Sequence, residues 1–79
     1  MAIEIKNSIV SDVVGTLYDK MGVSDYTSPK KVKAQLKDCA FSYFLIVNVS
    51  SGGGDVFAAS EIYTMLRDSG KKVTVNIQG

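Results

Sequence analysis

The fold is decided by residues 41–79, FSYFLIVNVSSGGGDVFAASEIYTMLRDSGKKVTVNIQG. Residues 41–49 form a nearly continuous apolar run, which is typical of a strand covered on both faces. The glycine-rich residues 50–54 predict a tight loop. Residues 55–68 predict a helix, and the alternating residues 72–78 predict a strand. This order predicts a βαβ unit with two parallel strands.

The predicted helix 55–68 carries an apolar face that would pack against the sheet. That face consists of Val56, Ala59, Ile62, Tyr63 and Leu66. Gly70 follows as a plausible helix terminator. The helix therefore supplies the layer that covers the two strands.

The first forty residues predict two further strands and a helix. Residues 2–6 alternate apolar and charged side chains, which indicates a short half-buried strand. Residues 13–18 fit a strand or a helix, and we assign them to a strand. Ser28 as N-cap and Pro29 at the first position predict a helix over residues 29–39. The whole chain is thus predicted to be one α/β domain.

Composition excludes several classes of function. The chain has 79 residues and a net charge of +1, without the basic excess of a nucleic-acid-binding protein, so we expect no nucleic-acid partner. It contains one cysteine, Cys39, and no histidine, so we expect no metal site. No secretory signal or membrane-spanning run is visible, so we expect a cytoplasmic protein without a membrane partner.

The stretch from Ser50 to Asp55 permits three interpretations. Glycines allow a ligand to approach the backbone closely, and the first N–H groups of the following helix lack internal partners. Such donors bind an anion or a developing oxyanion. A dinucleotide site is the first interpretation, a structural turn without a ligand is the second, and an oxyanion hole is the third. The glycine triplet alone does not select among them.

The dinucleotide interpretation fails on spacing. Gly52 and Gly54 provide G-x-G, but Phe57 stands where the third glycine is required. No acidic residue follows at the end of the next predicted strand. A Walker-type Gly-Lys-Ser/Thr sequence is also absent, so we expect no cofactor.

The stretch SGGGDVFAASEIY at residues 51–63 resembles the signature of ClpP-like serine peptidases. In that family an apolar strand ends in Asn-Ser-Gly-Gly-Gly or Asn-Ser-Pro-Gly-Gly, and a helix beginning Asp-Val-Phe-Ala follows. Residues 72–79 resemble the next family strand. Residues 3–6, 17–19 and 27–30 resemble the phage and prophage branch of head-maturation proteases, so the likeness covers nearly the whole chain.

The resemblance implies a ClpP/crotonase-like fold of repeated ββα units and a peptidase function. It implies that Gly53, with Gly54 as second choice, supplies an oxyanion-hole N–H. Gly52 and Asp55 would bind the extended peptide beside them. Val56 and Phe57 are candidates for the wall of that groove, although core packing is the favoured role for Phe57.

Two departures from the family pattern are visible. Val49-Ser50 stands where Ile-Asn is usual, and Ala59 stands where glycine is common. The family's nucleophilic serine lies a few residues beyond Gly79, and its histidine and acid follow later. The resemblance therefore implies that residues 1–79 are a truncated N-terminal part of one peptidase domain, inactive alone because serine needs an adjacent base.

The partners implied are a peptide or protein substrate, such as a phage capsid or scaffold protein, and further copies of the chain in a homo-oligomer. The protein would act in the cytoplasm of a bacterial host or in a phage prohead, either ATP-independently or as a Clp-type peptidase. A crotonase-type acyl-CoA enzyme and a non-catalytic assembly module remain the alternatives.

Overall fold

The computed structural model describes residues 2–78. Within that range the chain forms four strands and three helices. The strands are β1 (Ala2–Ile9), β2 (Tyr26–Thr27), β3 (Phe44–Gly54) and β4 (Lys72–Ile77). The helices are α1 (Asp12–Lys20), α2 (Pro29–Asp38) and α3 (Val56–Arg67). The strands form one parallel sheet in the order β2-β1-β3-β4.

The predicted βαβ unit is confirmed. Strands β3 and β4 pair in parallel, with Leu45 opposite Val73 and Val47 opposite Val75. Helix α3 connects them and begins at its N-cap, Asp55. The architecture is α/β, as the sequence predicts.

The strand predicted over residues 13–18 is wrong, because these residues lie in α1. Ser11 is the N-cap of this helix, and its hydroxyl accepts a hydrogen bond from the Val14 amide at 3.2 Å. Gly15 lets the helix approach β2, since a Cβ at this position would lie 2.9 Å from the ring of Tyr26. Packing of Gly15 on Tyr26 thus favours a helix, although the β-branched residues of this segment prefer a strand.

Tyr26 also ties β2 to the end of α1. Its hydroxyl donates to the Asp19 carboxylate at 2.7 Å. This hydrogen bond, together with burial and the negative charges of Asp19 and Asp12, raises the pKa of Tyr26. The contact holds a strand of only two residues in register beside Ser8 and Ile9 of β1.

The strand predicted over residues 41–49 is displaced toward the C-terminus. Residues 41–43 belong instead to the turn after α2, where the Ser42 amide donates to the Cys39 carbonyl at 3.0 Å. The strand continues through residues 50–54, which were predicted to form a tight loop. Pairing with β1, described below, keeps these residues extended.

The core lies between one face of the sheet and the helices α2 and α3. Its fully buried side chains are Ile3, Leu45, Val32 and Val47. Helix α2 contributes Val32 to this core, and its C-cap Cys39 is also buried. The face predicted for α3 is confirmed only at Ile62 and Leu66, while Val56 and Tyr63 are exposed.

The capping role of Ser28 leads to a stability prediction. Its hydroxyl accepts a hydrogen bond from the Lys31 amide at 3.3 Å, and the residue is buried. We expect Ser28→Ala to lower the free energy of unfolding by about 1 kcal/mol. Ser60→Ala, at an exposed position inside α3, should change it by less than about 0.5 kcal/mol. Urea denaturation measures both, and equal effects would contradict the capping role.

Candidate functional site

The glycine segment, residues 52–54, forms the carboxyl end of β3. It lies at the end of the sheet where β1 also ends. Gly53 lies opposite Ser8, and Gly54 lies opposite Ile9. Ligands of open parallel sheets bind outside the carboxyl ends of the strands, which is the edge occupied here. The segment therefore stands where the topology favours a binding site, and all three glycines are exposed.

Gly54 is required for backbone packing against β1. An added Cβ would overlap the carbonyl oxygen of Ile9 and lie 2.9 Å from its nitrogen. The residue also has a φ of +148°, which side chains rarely adopt. The next amide, that of Asp55, donates to the Ile9 carbonyl at 2.8 Å and completes the pairing. The presence of glycine at this position therefore has a structural reason that is independent of any ligand.

Gly53 has a different environment. Its φ is +108°, but open space surrounds the position of a Cβ. Its N–H donates to the hydroxyl of Ser51 at 3.1 Å. That hydroxyl in turn donates to the carbonyl of Asn7 in a short hydrogen bond. The predicted oxyanion donor is thus already paired with the hydroxyl of Ser51, the residue that precedes the glycine segment.

Asn7 and Ser51 are site residues that the sequence interpretation missed. Asn7 has a φ of +64° and lies where the register between β1 and β3 shifts, between Lys6 and Ser8. The available signal was Asn7 itself, because asparagine tolerates the left-handed region better than most residues. Its carbonyl accepts the Ser51 hydroxyl and so orders the glycine segment.

Asp55 caps α3. Its carboxylate accepts a hydrogen bond from the Ala58 amide at 3.0 Å, so it occupies one of the free donors at this helix end. The capped end of α3 therefore has one free donor fewer for a bound phosphate or dinucleotide.

Val56 and Phe57 form an apolar surface next to the glycines. Val56 is 76% exposed and Phe57 is 88% exposed, at the start of α3. The core packing favoured for Phe57 is therefore wrong, because the buried face of the helix begins at Ala58. The two side chains are free to contact a ligand held at residues 52–54.

Other site chemistry is limited. Among residues 2–78, no group of three or more His, Cys, Asp or Glu side chains is placed to hold a metal ion. No helix in this range is both long and apolar enough to cross a membrane.

Comparison with family models, with curated proteins and with solved structures finds no match to the chain.

The difference between the glycines leads to a second stability prediction. Gly54→Ala should lower the free energy of unfolding by at least about 2 kcal/mol, because it adds a clash to an unfavourable φ. Gly52→Ala is the matched control, since its Cβ meets nothing within 4 Å and its φ is not in the left-handed region. It should cost less than about 0.5 kcal/mol. Thermal and urea denaturation measure the free energy of unfolding of both variants. An unchanged free energy of unfolding in Gly54→Ala would contradict the packing role.

Proposed function

We propose that this chain provides the oxyanion-hole and substrate-groove part of a ClpP-like serine endopeptidase. One observation carries the proposal: the glycine segment joins a parallel strand to the capped N-terminus of α3, at the carboxyl edge of the sheet. Backbone N–H groups at such a junction are suited to stabilise a developing oxyanion. The ClpP-like arrangement of ββα units is part of the same proposal.

In the proposed mechanism the Gly53 amide, with the Gly54 amide as second choice, donates to the carbonyl oxygen of the scissile peptide. That oxygen gains negative charge when a serine attacks the carbonyl carbon, so a fixed donor lowers the barrier. The substrate oxygen replaces the Ser51 hydroxyl as acceptor of the Gly53 N–H. This exchange costs little, since the Ser51–Gly53 bond is exposed and water can donate to the Ser51 hydroxyl oxygen in place of the Gly53 N–H.

The substrate would lie extended beside Gly52 and the first turn of α3. Val56 and Phe57 offer apolar contact to its side chains and are exposed enough to do so. Asp55 contributes by capping the helix that carries them, and so holds the wall of the groove in position. These contacts favour an uncharged or apolar peptide over a nucleotide.

The nucleophile and its base are not supplied by these residues. The chain contains no histidine, and an unactivated serine is a weak nucleophile. The serine, histidine and acid would therefore come from sequence outside these 79 residues. A phage capsid or scaffold protein as substrate, a homo-oligomeric state and a location in the host cytoplasm or the prohead are parts of this proposal.

The test uses the product of the entire reading frame that encodes these residues. We expect a fluorophosphonate probe to label one serine outside residues 1–79, and labelled casein to be hydrolysed. Gly53→Ala should lower kcat by at least about tenfold by moving the donor, whereas Ser60→Ala, at an exposed position inside α3, should leave kcat within about twofold. Circular dichroism checks that both variants fold.

The opposing outcomes are distinct. No labelling, or equal activity of Gly53→Ala and Ser60→Ala, would reject the oxyanion role. Turnover of an acyl-CoA thioester without peptide hydrolysis would favour the crotonase-type alternative. The absence of both activities would favour a non-catalytic assembly module.

The 79-residue chain by itself leads to a further prediction. Incubated with the same fluorophosphonate, it should remain unlabelled, because Ser50, Ser51 and Ser60 have no imidazole base in the chain. Intact-mass spectrometry measures the adduct. Stoichiometric labelling of one of these serines would show that the assignment of the nucleophile is mistaken.

A further inference from the structure

Asn7 interrupts the pairing of β1 with β3. Lys6 lies opposite Ser50. The next pair joins Ser8 to Gly53, so that one residue of β1 faces two residues of β3. This count is that of a β-bulge, a feature that re-aims groups next to many active sites. Asn7 has a φ of +64°, a conformation that the surrounding contacts have to hold.

Thr27 of β2 holds the chain immediately before this bulge. Its hydroxyl donates to the Lys6 carbonyl at 2.7 Å and accepts from the Lys6 N–H at 3.1 Å. One side chain thus binds both backbone groups of one residue. Thr27 is only 3% exposed, so water has little access to its hydroxyl. A buried hydroxyl with both bonds made fixes its partner firmly, because breaking either bond leaves a buried polar group unpaired.

Thr27 also holds the chain after the bulge. Its carbonyl accepts a hydrogen bond from the Val10 N–H at 2.9 Å. The same residue therefore binds the chain on both sides of Asn7, at Lys6 and at Val10. The turn of the backbone at Asn7 lies inside a segment whose two ends are fixed by Thr27.

The bulge brings the Asn7 carbonyl to the glycine segment. That carbonyl accepts the Ser51 hydroxyl in a short hydrogen bond. The Gly53 carbonyl is a second acceptor for this hydroxyl but lies 3.5 Å away, so Asn7 is the closer partner. The Gly53 N–H donates to the same hydroxyl at 3.1 Å. A series of hydrogen bonds, interrupted only by the backbone of residues 6–7, therefore leads from Thr27 to the Gly53 N–H.

We propose that Thr27 is a positioning residue for the oxyanion donor at Gly53. Thr27 fixes Lys6 and so holds the adjacent Asn7 carbonyl in place. The Ser51 hydroxyl, anchored on that carbonyl, sets the direction of the Gly53 N–H. The catalytic consequence rests on the proposed function, whereas the hydrogen bonds from Thr27 to Gly53 are present without any reaction.

The direction of the donor matters for the rate. An N–H lowers the barrier only where it points at the oxygen that gains charge. Misplacement of a group by about 1 Å can cost about a hundredfold in rate. The Ser51 hydroxyl donates to Asn7 and accepts from Gly53, so its bond to Asn7 remains when a substrate oxygen takes over the Gly53 N–H. The glycine segment therefore stays tied to β1 in the substrate complex.

A purely structural role of Thr27 would have different consequences. Ser28, the next residue, is equally buried, and its hydroxyl accepts from the Lys31 amide. This bond leads into α2 and not toward the glycine segment. Ser28→Ala is therefore the matched control, because it removes a buried hydroxyl from the neighbouring position without breaking the series of bonds to Gly53.

The first test replaces Thr27 in the product of the entire reading frame. Thr27→Val removes the hydroxyl and nearly preserves the shape of the side chain. It should lower kcat by at least about fivefold and leave KM within about twofold, because the donor is needed only when the oxyanion forms. Thr27→Ser keeps the hydroxyl, and both Thr27→Ser and Ser28→Ala should leave kcat within about twofold.

The second test observes the Gly53 N–H without any reaction. The 79-residue chain contains seven glycines, so labelling with ¹⁵N-glycine gives an NMR spectrum simple enough to assign. Thr27→Val should shift the Gly53 signal and raise its rate of exchange with water by at least about threefold, since its acceptor is held less firmly. Gly70, which precedes β4 at the other end of the sheet, should keep its signal. Thr27→Ser and Ser28→Ala should leave the Gly53 signal in place.

An unchanged kcat or an unchanged Gly53 signal in Thr27→Val would overturn the positioning role. An equal loss of kcat in Ser28→Ala, or no rescue by Thr27→Ser, would also overturn it, because general destabilisation would then explain the loss. If the protein without substitutions shows no peptidase activity, the proposed function fails, and the Gly53 signal alone decides whether Thr27 holds this amide. The failure of one proposal is therefore distinguishable from the failure of the other.

Discussion

The parallel pairing of β1 with β3 is the constraint on which the rest of the structure depends. It extends from Ala2 opposite Ile46 to Ile9 opposite Gly54, almost the full length of both strands. The pairing places buried side chains of both strands, including Ile3 and Leu45, in the floor of the core. The apolar surface is wide enough for α2 and α3 to pack on it only because these two strands lie side by side.

The same pairing shapes the glycine segment. Since β1 ends at Ile9 and its carbonyl accepts the Asp55 amide, the backbone of Gly54 is drawn closer than a side chain allows. The register shift at Asn7 then brings its carbonyl to the Ser51 hydroxyl, which holds the Gly53 amide. The candidate site is therefore a consequence of how two strands end together, and not of the glycine triplet alone.

The second half of the fold was predictable from local signals. A long apolar run, the apolar face of residues 55–68 and alternation in β4 each point to one element, and the structure agrees at the helix and at β4 within a residue at each end. The same is true of α2, whose start is fixed by Ser28 and Pro29. Local interactions determine the secondary structure of these segments, so their sequence is enough to predict it.

The predictions from sequence are wrong where contacts between residues far apart in the chain determine the structure. Residues 13–18 have β-branched side chains, but Gly15 packs on the ring of Tyr26, which follows later in the chain. Residues 50–54 look like a loop until β1 pairs with them, and β2 has only two residues to signal itself. Phe57 is apolar yet exposed, because the buried stripe of α3 runs through Ala58, Ile62 and Leu66.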